Sequence, residues 1–418
     1  MKDSSSPQNG PYDLAVIGAG SAGFSAAITA GETGARVALI GAGTIGGTCV
    51  NVGCVPSKAL IRAVESLHHA RAAGRFDGIE AEARVTDWAA TVAQKQALVE
   101  ELRQAKYADV LPRHENVDYV EGRATFDDEG KLTVDGSLFP AGKFIIATGS
   151  RPHVPAIPGI EEVDTLDSTS ALELTAFPSS MLVLGAGYIG VELAQLFARA
   201  GVEVTQVLTA ERLVLATGRV PNSDGLNLAA AGITVGARGG IETNPHMRTT
   251  NPNIWAAGDV TGRDQFVYMA AYGAKIAARN AVADETRTYD NATMPWVVFS
   301  DPQVAGVGLS EAQARAAGHE VVTSILPLDA VPRALAARDT RGLIKLVAEA
   351  GSKRLLGAQI IAPEGADSIQ TAAMALKAGL TYEELGDTIM PYLTTVEALK
   401  LAAQTFEKDV AALSCCAG

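Results

Sequence analysis

Gly46-Gly47-Thr48-Cys49-Val50-Asn51-Val52-Gly53-Cys54-Val55-Pro56-Ser57-Lys58 holds two of the chain's four cysteines, with four residues between them. Such a pair can be two inert buried thiols, half of a zinc site, or a redox-active dithiol. A zinc site wants a second Cys or His pair at ligand spacing, and only the adjacent His68-His69 stands nearby. The dithiol fits best. Thr48 is placed to cap a helix that starts at Cys49, where the helix dipole favours a thiolate. Pro56 and the glycines break the run, so the sulfurs need not keep straight-helix spacing, and Lys58 adds a positive charge.

Upstream, Asp13 to Ile17 is a short apolar run that reads as a buried parallel strand. Gly18-Ala19-Gly20-Ser21-Ala22-Gly23 follows, then a helical stretch to about Gly34 and a second strand at Val37 to Ile40. This is G-x-G-x-x-G between a strand and a helix, with a dinucleotide pyrophosphate expected on the helix N-terminus. The acid that should end the second strand and bind the adenosine ribose is missing, because the strand runs Leu39-Ile40-Gly41-Ala42. Weaker binding of the dinucleotide is expected from that gap.

Together the glycine loop and GGTCVNVGCVPSK resemble the active-site region of the FAD-dependent pyridine nucleotide-disulfide oxidoreductases. The resemblance implies that Cys54 lies against the flavin as the charge-transfer thiol and that Cys49 exchanges with substrate. It implies FAD contacts at Gly18, Gly20, Ser21, Ala22, Gly23, Gly47, Thr48 and Lys58. It extends to Phe144-Ile145-Ile146-Ala147-Thr148-Gly149, similar to the A-T-G turn that closes the first nucleotide domain, and to Met247–Asp259, where Asp259 would approach the flavin ribitol.

A second copy of the nucleotide pattern starts with a strand at Met181 to Leu184. Gly185-Ala186-Gly187-Tyr188-Ile189-Gly190-Val191-Glu192 opens its helix, and Val202 to Leu208 is the next strand. Two such units signify two dinucleotides, FAD and NADPH. By the resemblance Gly185, Gly187, Gly190 and Gly218 belong to the nicotinamide site, Tyr188 gates its pocket, and Glu192 pairs with Lys58. The first unit runs 129 residues from Gly18 to Ala147, whereas the second runs 31 from Gly185 to Ala216. A βαβαβ half needs roughly 50 residues or more. The second unit has therefore lost its middle. The loss predicts strand edges without partners, disorder over 181–245, and weak NADPH binding, with Arg212 the sole remaining cation to meet a 2′-phosphate.

Residues 294–418 alternate strands and helices in an α+β pattern similar to the family's interface domain, which pairs two subunits. The expected architecture is α/β. A discontinuous FAD-binding domain spans 11–150 and 249–293, a truncated NAD(P)H-binding domain 151–248, and an α+β dimerisation domain 294–418.

Where disulfide-reducing members carry a His-Pro-Thr-x-x-Glu acid-base pair, this chain has Tyr392-Leu393-Thr394-Thr395-Val396-Glu397. Tyrosine titrates about three units above the histidine range, so protonating an organic thiolate is disfavoured. The tail ends Cys415-Cys416-Ala417-Gly418. Adjacent thiolates select soft cations, and Hg(II) is among the softest. Tyr392 with this tail resembles the branch of the family that reduces Hg(II). There Cys415 and Cys416 would pass the metal to Cys49 and Cys54 of the partner subunit in a homodimer with shared active sites, and small thiols would carry the Hg(II). Glu397 and Tyr392 are counted with the catalytic residues on the same ground. A thiol-disulfide reductase of the same fold, and an Hg-binding flavoprotein with impaired NADPH-driven activity, are the rival readings.

Composition sets outer bounds. A net charge of −13 argues against nucleic acid as a partner. Four cysteines in 418 residues do not make a disulfide framework. No stretch offers 18 consecutive apolar residues, and the polar start lacks a signal peptide's apolar core, so a cytoplasmic location without a membrane span is expected.

Overall fold

The computed structural model describes residues 11–205 and 210–410. The chain splits into two compact units, Met1–Val64 with Val85–Leu193 and Ala200–Tyr289, and Glu65–Arg84 with Ala194–Arg199 and Asp290–Gly418.

Along the chain the first elements are β1 (Tyr12–Ile17), α1 (Ser21–Gly31), β2 (Val37–Gly41), α2 (Gly47–Asn51), α3 (Cys54–Arg71), α4 (Trp88–Arg103) and β3 (Val117–Glu121). Three short antiparallel strands follow, β4 (Ala124–Phe126), β5 (Leu132–Val134) and β6 (Ser137–Leu138). Then come β7 (Ala141–Ile146), β8 (Ser150–Pro152), β9 (Thr165–Leu166), α5 (Ser168–Leu172), β10 (Ser180–Leu184), α6 (Tyr188–Ala200), β11 (Glu203–Thr205), β12 (Arg212–Leu215), β13 (Arg219–Pro221), β14 (Ile254–Ala256) and α7 (Val267–Val282).

The central sheet of the first unit is parallel, in the order β14-β7-β1-β2-β3. Leu14, Ala15 and Val16 of β1 and Val37, Ala38 and Leu39 of β2 are wholly buried, as strands covered on both faces require. One cover is α1 against α7. Their facing residues are small, Ala26, Ala27 and Ala30 with Ala274, Ala277 and Ala278, all wholly buried. The Ser25 hydroxyl donates to the Ala271 carbonyl at 3.0 Å, tying the pair.

The second sheet is also parallel, in the order β11-β10-β12-β9. Its centre repeats the first. The strand before the glycine loop is flanked by the next strand on one side and by the closing strand on the other, as β1 is by β2 and β7. In the first sheet β3 lies outside β2, whereas β11 is the edge of the second. The missing segment is therefore an edge strand with its crossover, and β10 and β12 keep partners on both sides. The outer edge of β11 has no partner among the described residues, as expected, whereas the expected disorder over 181–245 is corrected for the described strands, which pair in a regular parallel ladder. Residues 206–211 alone link β11 on one side of β10 to β12 on the other, where parallel crossovers usually take a dozen residues or more.

A second correction concerns the domain limits. On sequence alone the nicotinamide domain runs to 248. In the structure β13 pairs with β8, and Leu226, Leu228, Ala231, Ile233 and Ile241 share a core with Ile17, Ile40 and Phe126 of the first sheet's surroundings. The Asn251 amide donates to the Ala231 carbonyl at 2.8 Å, and the Thr250 hydroxyl to the Gly232 carbonyl at 2.7 Å. The stretch from Leu226 to Ile241 thus packs with the first sheet. Its apolar residues are too few and irregular to signal this without the partner surface.

Further on lie β15 (Trp296–Val298), β16 (Gln303–Gly308), α8 (Glu311–Ala316), β17 (Val321–Pro327), α9 (Pro332–Ala336), β18 (Leu343–Glu349), β19 (Leu355–Ala362), α10 (Gly365–Ala378), α11 (Tyr382–Asp387) and α12 (Glu397–Gln404). The strands form one antiparallel sheet, β15-β16-β19-β18-β17, over a core that includes Leu346, Ile360, Ile369 and Leu399. Capping boxes start α8 at Ser310 with Gln313 and α11 at Thr381 with Glu384. No helix among the described residues is long and apolar enough to cross a membrane.

Candidate active site

The dithiol segment folds as two helix starts. Gly46, at φ +97°, precedes α2, which begins at Gly47 with no side-chain cap. α3 begins at Cys54, with Pro56 inside its first turn, where the missing N–H costs nothing. This corrects two sequence expectations. Thr48 does not cap, because α2 starts at Gly47, two residues before Cys49, and the thiol that is itself the first residue of a helix is Cys54. The run does break between Cys49 and Cys54, as expected, with Pro56 in the first turn of the second helix.

Both cysteines are free thiols, Cys49 half-buried and Cys54 exposed. The Cys49 thiol hydrogen-bonds the Cys54 sulfur, and together with the Lys58 charge this lowers the Cys54 pKa to about 7 against the opposing effect of burial. The same bond, with burial, pushes the Cys49 thiol well up. One thiolate and one thiol thus share a proton-donating contact. Lys58 Nζ donates to the Glu192 carboxylate at 2.6 Å, with Glu192 buried and Lys58 about one-third exposed. A helix from each nucleotide half therefore meets beside the dithiol. Replacing Cys49 by Ala, or Lys58 by Met, should raise the pKa of Cys54. The alkylation rate of reduced protein against pH would show its midpoint move upward from about 7.

The glycine loops keep their geometry. Gly18 has φ +114° and Gly185 φ +122°, and a Cβ on either would lie 2.3 Å from the carbonyl oxygen of the closing strand's end, Ala147 or Ala216. Only glycine fits there. Gly20 is the N-cap of α1 and supplies no side-chain acceptor, so the first N–H groups of α1 are open to an anion. Gly20 and Gly47 face each other, and a Cβ on Gly47 would sit 2.6 Å from Gly20 Cα. Ser21, Ala22 and Gly23 continue the first turn of α1. Thr148 and Asn222 clasp each other, hydroxyl to carbonyl at 2.7 Å and amide to carbonyl at 3.0 Å, beside Gly149. The Asp259 carboxylate accepts from the Ser150 hydroxyl at 2.6 Å, and Ser150 in turn accepts from Arg219 at 2.7 Å. Asp259 is thus held in place rather than acting as an N-cap. A floor cleared of side chains, an open helix N-terminus and a fixed carboxylate fit FAD.

Some contributors gave no signal in the sequence. The Tyr107 hydroxyl lies 3.2 Å from the Ser21 hydroxyl, and burial raises its pKa, with a further push from Cys49 and Cys54. It is presented where α4 widens at its end, with the Asp109 N–H donating to the Gln104 carbonyl five residues back at 2.9 Å. Tyr188, exposed at the start of α6, meets Phe266 edge-on at 5.4 Å, and Phe266 stacks on Tyr268. Gly187 has nothing within 4 Å of its Cβ position, and Gly190 packs on Gly185. Gly218 accepts from the His153 N–H at 2.9 Å. Arg212 is ion-paired with Asp164.

Tyr392 and Glu397 lie in the other unit. Tyr392 is exposed. Glu397 is buried and accepts from the Leu393 N–H at 2.9 Å, holding Leu393 at φ +63°. Cys415 and Cys416 lie outside the described residues.

Residues 12–214 and 205–278 match the family model described as pyridine nucleotide-disulphide oxidoreductase, and 294–403 match that family's dimerisation domain. The first two pieces overlap at 205–214. The chain belongs to the pyridine nucleotide-disulfide oxidoreductase family. Its sequence is 42% identical to a mercuric reductase of Staphylococcus aureus over 468 residues, covering 98% of this chain and 85% of that protein. A mercuric reductase of Streptomyces lividans is 43% identical over 468 residues, covering 97% of this chain and 98% of that protein. An alignment of 468 residues over a chain of 418 needs at least 50 gap positions, consistent with a missing edge strand and crossover. Among solved structures, the HOCl-induced flavoprotein disulfide reductase RclA from Escherichia coli superposes with a TM-score of 0.83 at 30% identity, covering 94% of this chain and 99% of that one.

Proposed function

We propose that this chain reduces Hg(II) to Hg(0) with electrons from NADPH, as a homodimeric, cytoplasmic flavoenzyme. The observation that carries it is the Cys49–Cys54 dithiol with one sulfur ionised near neutral pH, in a chain about 42% identical to mercuric reductases over nearly all its length. FAD, when bound, supplies two-electron transfer between nicotinamide and the dithiol.

The chain's own residues bind and position. The Cys54 thiolate and Cys49 displace the thiolates of small carriers from Hg(II), forming Hg–S bonds as the carrier Hg–S bonds break. The Cys49 proton goes to a leaving carrier thiolate. Lys58 holds the negative charge left on the dithiol, and Glu192 holds Lys58. Overall, Hg(II) bound to two carrier thiolates, NADPH and a proton give Hg(0), NADP⁺ and two thiols. Tyr392, presented by the Glu397-fixed turn, takes the place of an imidazole, so a thiolate released from an organic disulfide finds no imidazole acid there.

The tail thiols Cys415 and Cys416 would take Hg(II) from carriers and pass it to the dithiol of the partner subunit. Replacing both by Ala should leave flavin absorbance and core thiol titration unchanged and slow turnover of thiol-bound Hg(II) roughly tenfold or more. Unaltered turnover under every carrier condition would remove the loading role. The proposal as a whole is tested by NADPH oxidation with Hg(II) in excess small thiol, against oxidised glutathione alone. Turnover with the disulfide and none with the metal would assign the chain to thiol-disulfide reduction instead.

A further inference from the structure

The missing ribose acid has a counterpart one strand over. Dinucleotide sites of this kind end the second strand in a carboxylate that binds the adenosine ribose, and here that position is Gly41. A Cβ on Gly41 would lie 2.8 Å from the Tyr119 hydroxyl and 2.7 Å from the Ala19 Cβ. Tyr119 therefore occupies the space where an acid's stem would begin, and no side chain enters at 41 unless Tyr119 moves. Tyr119 stands on β3, two residues before Glu121, so both project from the same face. Gly41 and Glu121 are register partners in parallel strands. Paired strands lie about 4.8 Å apart with partner side chains on the same face, so the Glu121 stem, starting from the neighbouring strand, can bring its carboxylate toward the place where that acid's carboxylate would lie. Glu121 is exposed, and no Lys or Arg among the described residues pairs with it. The two groups also sense each other, since the Glu121 charge adds to burial in raising the Tyr119 pKa.

We infer that Glu121, with the Tyr119 hydroxyl beside it, binds the adenosine ribose hydroxyls of FAD in place of the acid that Gly41 cannot supply. Gly41 is then part of a rearranged site rather than a defect in it. The inference rests on the flavoprotein reading above, specifically on FAD occupying the first glycine loop.

The test is equilibrium binding of FAD to apoprotein, with a parallel series using an FAD analogue that lacks both hydroxyls of the adenosine ribose. Wild-type protein should prefer FAD over the analogue by about tenfold or more, as expected for hydrogen bonds to a charged acceptor. Glu121→Ala, at an exposed position tolerant of truncation, should weaken FAD by a similar factor and bind the two flavins within about twofold. Tyr119→Phe should lose part of the preference. Unchanged affinity and preference in Glu121→Ala would overturn the inference while leaving the flavoprotein reading intact. Wild-type protein that binds neither flavin would overturn both.

Discussion

Replacing Cys54 by Ser should remove Hg(II)-dependent turnover, a loss of roughly a thousandfold or more. Cys54 stands at the start of α3, takes the Cys49 hydrogen bond, and is the sulfur ionised near neutral pH. A serine hydroxyl neither ionises there nor bonds a soft metal. The variant should also lack the long-wavelength thiolate-to-flavin band that the family resemblance implies for Cys54. The Lys58–Glu192 ion pair does not depend on the sulfur, so the fold should hold, and thermal unfolding of the variant should stay close to wild type. Steady-state rates beside absorbance spectra measure both effects. If Cys54→Ser kept wild-type turnover, the dithiol would not be the site.

The second large effect concerns the nicotinamide. Its glycine loop is intact, with Gly185 and Gly190 shaped like Gly18 and Gly23, and β10 is paired on both sides. What the chain lacks is cationic recognition beyond β11. Residues 206–211 read Gln-Val-Leu-Thr-Ala-Glu, without a Lys or Arg, and Arg212 is engaged by Asp164. A bidentate Arg on a 2′-phosphate is typically worth about tenfold or more in affinity. NADPH should therefore drive reduction weakly, and NADH should serve within about threefold of it. Stopped-flow reduction against the concentration of each nucleotide decides the matter. Saturation at micromolar NADPH with strong rejection of NADH would show that the shortened unit still recognises the phosphate.

The parts legible in the sequence were those written locally. Gly18–Gly23 and Gly185–Gly190 state a backbone shape that only glycine permits, and Ile254–Ala256 is a buried strand because its three residues are apolar on both faces. Cys49, Cys54 and Lys58 announce their chemistry by type and spacing. The parts that escaped depend on distant partners. Leu226, Leu228 and Ile233 show no periodicity, and only the first sheet's exposed flank makes them core. Tyr107 sits in a helical run like any other tyrosine until the widened turn brings it to Ser21. The shortened second unit was visible from its length, and the closing strand stands almost directly after the second one in the sequence, but the place of the loss in the sheet was not. Sheet order settled that, because β11 is an edge where its counterpart β2 is not. The hydrogen bond from the Leu393 N–H to the Glu397 carboxylate also gives no signal in the sequence, because a buried glutamate at a helix start reads the same with or without it.

The central claim is that Hg(II) held by the reduced Cys49–Cys54 dithiol becomes Hg(0) with the two electrons that reduced FAD would supply. It is tested most directly without nicotinamide. Protein reduced chemically by four electrons under anaerobic conditions, so that dithiol and flavin are both reduced, and freed of reductant should, on mixing with Hg(II) bis-thiolate, release close to one equivalent of volatile Hg(0) per site while the flavin spectrum returns to the oxidised form. A spectrum that stays reduced with Hg(II), yet reoxidises with glutathione disulfide and releases no Hg(0), would contradict it.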